Sequence, residues 1–463
     1  MLFCTIAVIR STISYKPLLL MTNSSETNHI TSPKRSLKTF DIAALIIGTI
    51  LGAGIFRVPS MVAGQLNNEY FIIGAWLLGG LISIIGALCY AELATTYPNV
   101  GGEYHFLQKA YGRRLAFLYG WARSIVIVTG SLGILGITLG DYMTKIISLG
   151  SYSSTIWAML VIIVLSVLNA IGIKEGKTAQ NILTVFEVLG VVGIIVTGFM
   201  LQGAAPQEVH ATTSQPSFGA ASLAIIFVLL TYGGWNEAAY VSAEAVDQRQ
   251  GILKALVLGI GIVTLLYVLV NLSLIHAFGV SKMGQSNALA SDLFDLAYGH
   301  QSAVLFSAIV VFSCLNSINA TIIFGSRSSF ALGQDWKMFS WIGQWDESGS
   351  PRKAIFLQCL IALALVFGAS FARESFESVV EFTAPVFWFF ILLIGISLFI
   401  LRKQNPDKEI PCPVPLYPVL PIIFILTVVW LLWSSLAYSG WGALVGVACL
   451  GVGAVILLFE SKH

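Results

Sequence analysis

Apolar runs of about 20 residues follow one another from residue 41 almost to the C-terminus, separated by short polar stretches. A run of 18 or more such residues is long enough, as a helix, to cross the hydrocarbon core of a bilayer. Twelve segments are read this way, at roughly 41–65, 71–97, 114–147, 154–172, 178–201, 217–244, 251–279, 299–332, 353–371, 377–401, 417–438 and 441–459. The third and eighth are longer than a bilayer needs, which predicts tilt or extension beyond it. Between the second and third, "GEYHFLQKAY" (102–111) is amphipathic and predicts an interfacial helix on the inner face. "NALASDLFDLAYG" (287–299) predicts a short outer helix between the seventh and eighth.

Composition sharpens the class. Of 463 residues, 56 % are apolar and only 10 % charged, against about 25 % charged in soluble domains. Such a chain cannot cover itself with polar surface, so it reads as a polytopic helical membrane protein. A net charge of +2, with no basic stripe, argues against nucleic acid as a partner. The six cysteines are scattered through apolar runs and read as small hydrophobes, with no metal or disulfide spacing. No cofactor or metal is expected, and no catalytic set stands out.

Loop charge sets orientation. With the N-terminus inside, 20 of the 25 Lys and Arg fall on the cytoplasmic side, and only Lys145, Lys282 and Arg373 fall outside. Arg57 and Arg123 remain within or near spans. This asymmetry predicts both termini in the cytoplasm and insertion in the cell membrane. Residues 1–38 read as a disordered cytoplasmic tail, with Met1 and Met21 both candidate starts.

Two segments carry their worst helix formers in mid-run. The first reads "ALIIGTILGAGIFRVPS" (44–60), with Gly48, Gly52, Gly54 and Pro59; the sixth reads "IIFVLLTYGGWNEAAYVSAE", with Gly233, Gly234, Asn236 and Glu237. Glycine costs about 1 kcal/mol against alanine in a helix, and proline about 3. Alone, Gly48 and Gly52 form a GxxxG that can mean close helix packing. Interrupted segments at corresponding places in two halves instead point to an inverted-repeat transporter. A break frees N–H groups at one half-helix and C=O groups at the other, and each needs a partner inside a membrane. The N–H end suits a carboxylate and the C=O end an ammonium, the two groups shared by all α-amino acids.

These two stretches, together with "YAELATTYPNVGGEYHFLQKAYG" (90–112), "FLYGWAR" (117–123) and "SCLNSINATIIFGSRSSFALGQD" (313–335), resemble amino acid permeases of the amino acid–polyamine–organocation superfamily. The likeness is to the bacterial relatives of the L-type amino acid transporters and covers roughly residues 38 to 400. It implies an all-α integral membrane protein of 12 transmembrane helices, a LeuT-like 5+5 inverted repeat with helices 1 and 6 broken. Residues 39–401 would be the transporter core, with repeats at about 39–202 and 217–401, and 402–463 the last two helices. Gly52, Ala53 and Gly54 would offer N–H groups to the substrate carboxylate. Carbonyls of Ile47, Gly48 and Thr49, and of Leu230 to Gly233, would receive its amino group beside Gly234. Tyr232, Trp235 and Asn236 would line or gate the pocket, and Gly130 to Gly133 would face it. The implied activity is alternating-access movement of an L-amino acid, best a neutral one, by proton symport or exchange. Animal L-type transporters bond a heavy chain through a cysteine after the third span; "ISLGSYSSTI" here has none, so no such partner is expected.

Charged residues leave alternatives open. Glu187 in the fifth segment is either a group that takes up and releases a proton during transport or a packing residue near Asn181, Ser317 or Thr321. It departs from the lysine that proton-coupled family members carry nearby. Arg123 reads as snorkelling to the inner interface. Arg57 reads as an outer gate or an interface contact. Glu244 and Asp247 read as an inner gate with Arg249, Arg327 or Lys254. Glu237 either selects a cationic amino acid or polyamine or points away from the pocket. A non-transporting sensor or a channel is the alternative from another class. Trp336, Trp341, Trp345, Trp430, Trp433 and Trp441 read as interfacial anchors.

Overall fold

The structure, a computed structural model, describes residues 39–99, 102–171, 177–201, 216–236, 250–344, 350–372, 375–437 and 441–460. Among the described residues the regular elements are all helical. The first apolar segment is two helices, α1 (Thr39–Ile50) and α2 (Gly54–Leu66). There follow α3 (Glu69–Thr96), α4 (Glu103–Tyr111), α5 (Arg113–Ile146), α6 (Ser153–Ala170) and α7 (Lys177–Met200). The second half holds α8 (Phe218–Thr231), α9 (Gln250–Phe278), α10 (Leu289–Tyr298), α11 (His300–Asp335), α12 (Arg352–Ala369) and α13 (Ser375–Gln404). Finally come α14 (Val419–Ala437) and α15 (Trp441–Glu460).

Among the described residues, eight helices are long and apolar enough to cross a membrane, accompanied by shorter apolar stretches at Glu187–Met200, Phe218–Thr231 and Gly442–Leu458. The chain is a multi-pass membrane protein. The 36 residues of α11 would extend about 54 Å at 1.5 Å each. That exceeds the hydrocarbon core of roughly 30 Å, as the long eighth segment predicts.

Local chemistry sets several ends. Asn67, at φ 49°, closes α2 in the left-handed region, and the next residue, Asn68, caps α3 by accepting from the Tyr70 amide at 2.9 Å. Ser217 caps α8 through the Ala220 amide at 3.2 Å. Both arrangements satisfy backbone donors that a helix start otherwise leaves unpaired.

The helices are apolar outside as well as inside. On α6, Ile156, Leu160, Ile163 and Val167 stand exposed at helical spacing, while Ala158, Ile162 and Ser166 are buried. The exposed stripe suits lipid, and the buried one carries smaller residues that let helices approach. α2 runs along α8, α1 along α9, and α5 along α11, with α3 lying over α8 and α9. That arrangement carries the interruption between α1 and α2 to the end of α8.

Two expectations need correcting. α4 is not simply an interfacial helix: its amphipathic face turns inward and buries Glu103, Phe106 and Leu107. Trp336 is packed against Phe117, ring centroids 4.6 Å apart, under the Arg113 guanidinium, rather than anchoring an interface.

Candidate functional site at two helix breaks

The first break begins where the Leu51 amide donates to Ile47 O at 2.9 Å and closes the last turn of α1. The ladder restarts with three-residue turns, Ile55 N–H to Gly52 O at 3.4 Å and Phe56 N–H to Ala53 O at 3.2 Å. The second break follows Thr231. Gly233 N–H turns back to Leu230 O at 3.1 Å, and Gly234 takes φ 104°, a conformation that favours glycine.

The breaks meet. A Cβ on Gly54 would lie 3.3 Å from Thr231 Cγ2 and 3.4 Å from its Cα, so the start of α2 rests directly on the end of α8. Gly52 faces α11, where a Cβ would stand 4.0 Å from Ser317 Oγ. A tyrosine that the sequence reading passed over joins the two. The buried Tyr267 hydroxyl of α9 donates to Ile50 O at 2.9 Å and to Thr231 O at 3.3 Å, the last carbonyl before each interruption. Nothing in its local sequence separates it from an ordinary mid-span aromatic.

Burial picks out the same backbone. Ile46, Ile50, Leu51, Ala53 and Ile55 are buried, yet Gly48 and Gly233 are exposed and Ile47, Gly52, Gly54, Leu230 and Gly234 half-buried. The accessible surface at the breaks is therefore mostly glycine backbone. Ala53 is the exception among the three residues expected to offer N–H groups.

The bulky residues around the second break go into packing. Tyr232 is fully buried, its hydroxyl on Trp76 O at 3.0 Å and its ring against Trp76 and Tyr267. Trp235 sits edge-on to Tyr90 at 5.1 Å and against Phe424 of α14. Asn236 alone turns to a charge, donating to Glu103 Oε1 at 3.1 Å. Gly130 and Gly133 abut Thr383 and Val379 of α13, where they allow helix contact rather than facing a pocket.

Glu187 is buried and accepts from Ser313 Oγ at 2.6 Å, one turn before Ser317 on α11. Thr321 donates instead to Ser317 O at 2.8 Å within its own helix. Arg57, also buried, donates to Asn287 Oδ1 at 2.8 Å and stands 3.7 Å from Asp141 Oδ2, with the Phe376 ring beneath it. It thus ties α2 to α5, to the approach to α10 and to α13. Arg123 does not snorkel: it opens a π-helical stretch, Arg123–Ile127, and pairs with Glu103 Oε2 at 3.0 Å. Glu237, Glu244, Asp247 and Arg249 lie outside the described residues, as do the side chains of Thr49, Asn181 and Arg327.

Apolar helices interrupted face to face, with exposed glycine backbone beside the breaks, leave N–H and C=O groups that need partners from protein, water or ligand, the arrangement found at the binding sites of inverted-repeat transporters. The chain belongs to the amino acid permease family, whose profile matches residues 37–455. It is 29 % identical over 430 residues to the serine/threonine exchanger SteT of Bacillus subtilis, covering 90 % of this chain and 96 % of that protein. Against the human b(0,+)-type amino acid transporter 1 it is 29 % identical over 411 residues, 87 % of this chain and 82 % of that one. Against the human large neutral amino acids transporter small subunit 2 it is 24 % identical over 440 residues, 92 % and 79 % respectively. The likeness spans both breaks and most of each relative. The chain is an amino acid transporter of the secondary type.

Proposed function

We propose that the chain moves neutral L-amino acids across the cell membrane by alternating access, working as an exchanger. The observation that carries this reading is the meeting of the two breaks, with Gly54 against Thr231 and Tyr267 bridging Ile50 O and Thr231 O. N–H groups of Gly52, Ala53 and Gly54 receive the substrate carboxylate at the positive end of α2. Carbonyls of Ile47, Gly48 and Thr49, and of Leu230 to Gly233, receive the ammonium. The described residues around the breaks are small or apolar, which favours a neutral side chain over a cationic one. Exchange is suggested by the name of one relative, SteT, which is called a serine/threonine exchanger.

The proposed architecture is 12 transmembrane helices in a 5+5 inverted repeat, both termini cytoplasmic. Its members are the eight long helices, the three shorter apolar stretches, and α1 with α2 counted as one. Arg57 closes the outer side by its hold on Asn287 and Asp141.

Proton symport is the second reading, and Glu187 is the reason for it. A carboxyl buried among apolar helices with one hydroxyl donor is a functional residue by default. Reconstitution into proteoliposomes with a panel of amino acids, with and without a pH gradient, separates the readings. Exchange of neutral amino acids without a gradient supports the first; no transport of any panel member refutes both. If an outside-acid gradient drives uptake, Glu187→Gln should abolish that stimulation and leave exchange at symmetric pH within about twofold. Unchanged stimulation removes Glu187 from coupling.

A further inference from the structure

Beside the second break lies a further buried polar cluster, built around Glu103. α4 follows α3 as a short loop helix, yet Gly102, at φ 49°, turns its first residue inward and leaves Glu103 5 % exposed. A buried carboxylate is costly unless it is paired and hydrogen-bonded. Here both oxygens are served. Oε1 accepts from Tyr90 of α3 at 3.0 Å and from Asn236 at 3.1 Å. Oε2 accepts from Tyr119 and, at 3.0 Å, from Arg123, both of α5. Arg123 continues the chain of contacts through Nε to Ser328 Oγ of α11 at 3.0 Å.

We propose that Glu103 is an inner latch, a positioning residue that holds Asn236, two residues past the second break, to the paired carboxylate and must let it go before the site opens to the cytoplasm. The inference rests on the transport reading above. Its geometry is specific. Asn236 is two residues beyond Gly234, so any swing about that glycine pulls directly on the Glu103 carboxylate. Tyr104, the next residue of α4, fixes the same helix to the far end of α11 through Asp335 Oδ2 at 2.7 Å. One carboxylate thus joins a hinge to α3 and α5, and through Arg123 to α11. Arg123 supplies the opposite charge, so releasing the latch means separating a charge pair inside the protein. A network that served only to fix α4 would not need a contact from the break itself.

The test uses full-length protein reconstituted in proteoliposomes with sidedness controlled, measuring exchange KM from each face. Glu103→Gln keeps the shape and removes the charge that holds Arg123. The latched state then loses population, and apparent affinity follows the fraction of protein facing each side. The expected result is an outer-face KM raised about 3- to 10-fold with the inner-face KM lowered. Asn236→Ala, which leaves the Glu103–Arg123 pair intact, shifts both in the same directions by less, and Glu103→Asp recovers part of the wild-type values. A merely structural cluster would reduce activity per reconstituted protein with both KM values unchanged, and that result overturns the latch. Hydrogen exchange provides a reading independent of transport. In Glu103→Gln the amides of 103–111 and 232–236 should exchange faster, with 54–66 unchanged. Equal exchange in wild type and variant refutes the latch even if the wild type moves no amino acid tested, an outcome that would by itself refute only the transport reading.

Discussion

The two helix breaks expose backbone by different means. At the first, three residues, Leu51 to Ala53, separate α1 from α2; Leu51 turns into the core, and the following Gly52, Ala53 and Gly54 are small. At the second, large aromatics flank the glycines and are drawn away into neighbours: Tyr232 onto Trp76, Trp235 onto Tyr90 and Phe424. The first break is open because little is there to fill it. The second is open because its bulky residues are anchored elsewhere. The difference teaches that small residues are needed in one place and large ones in the other, for the same end.

That contrast orders the expected effects of mutation. The largest is at Gly54, where even a Cβ would meet Thr231 at 3.3 Å. Gly54→Leu should abolish transport while the purified protein keeps its helix content and elution profile; retained uptake would show that the two breaks need not touch. Next is Trp235→Ala, which empties a site packed between α3 and α14. Truncating a buried aromatic costs about 3–5 kcal/mol, so its thermal unfolding midpoint should fall clearly. A midpoint equal to wild type would mean that Trp235 is not the anchor its contacts describe. Smallest is Tyr267→Phe, which removes one hydroxyl and no volume. A neutral hydrogen bond is worth about 1 kcal/mol, or roughly a fivefold change, so KM should rise by about that factor with the midpoint nearly unchanged. Equal KM values would remove Tyr267 from site alignment.

The breaks were legible because they violate local rules in the open: glycines in mid-run need no partner to be noticed, although Gly48 and Pro59 lie within α1 and α2 rather than between them. Helix positions were legible for the same reason, since length and hydropathy are local. Rotation was not. Whether Gly130 meets a ligand or Thr383 depends on which way α5 is turned, and its apolar surroundings look alike on every side. Charge pairing was hidden too. Arg123 reads as a snorkelling cation until α4 is seen to fold back and bring Glu103 to it. Tyr267 was invisible because its work is done through a hydroxyl aimed at two carbonyls far away in sequence. Local patterns carry the elements; the pairings between elements come from tertiary structure.

A similar distinction separates the charged groups near the two faces. Glu92, Arg402 and the Val414 amide form a tight set, with bonds of 2.6, 2.6 and 2.7 Å, that ties α3 to α13 and to the link before α14. Arg57 and Asp141 stand at 3.7 Å, with Asn287 taking the shorter contact. The first set has the geometry of a fixed bidentate joint. The second is looser and lies on the same side of the first break as α2, in keeping with the gate role proposed for Arg57.

The central claim is that broken backbone, not side chains, holds the groups common to all amino acids. Competition against exchange of a transported neutral amino acid tests it most directly, using the same amino acid with its carboxylate converted to an amide or its ammonium acetylated. The account predicts that both derivatives lose competition while amino acids with other small neutral side chains retain it. If either derivative competes as well as its parent, the breaks do not bind those groups and the account fails.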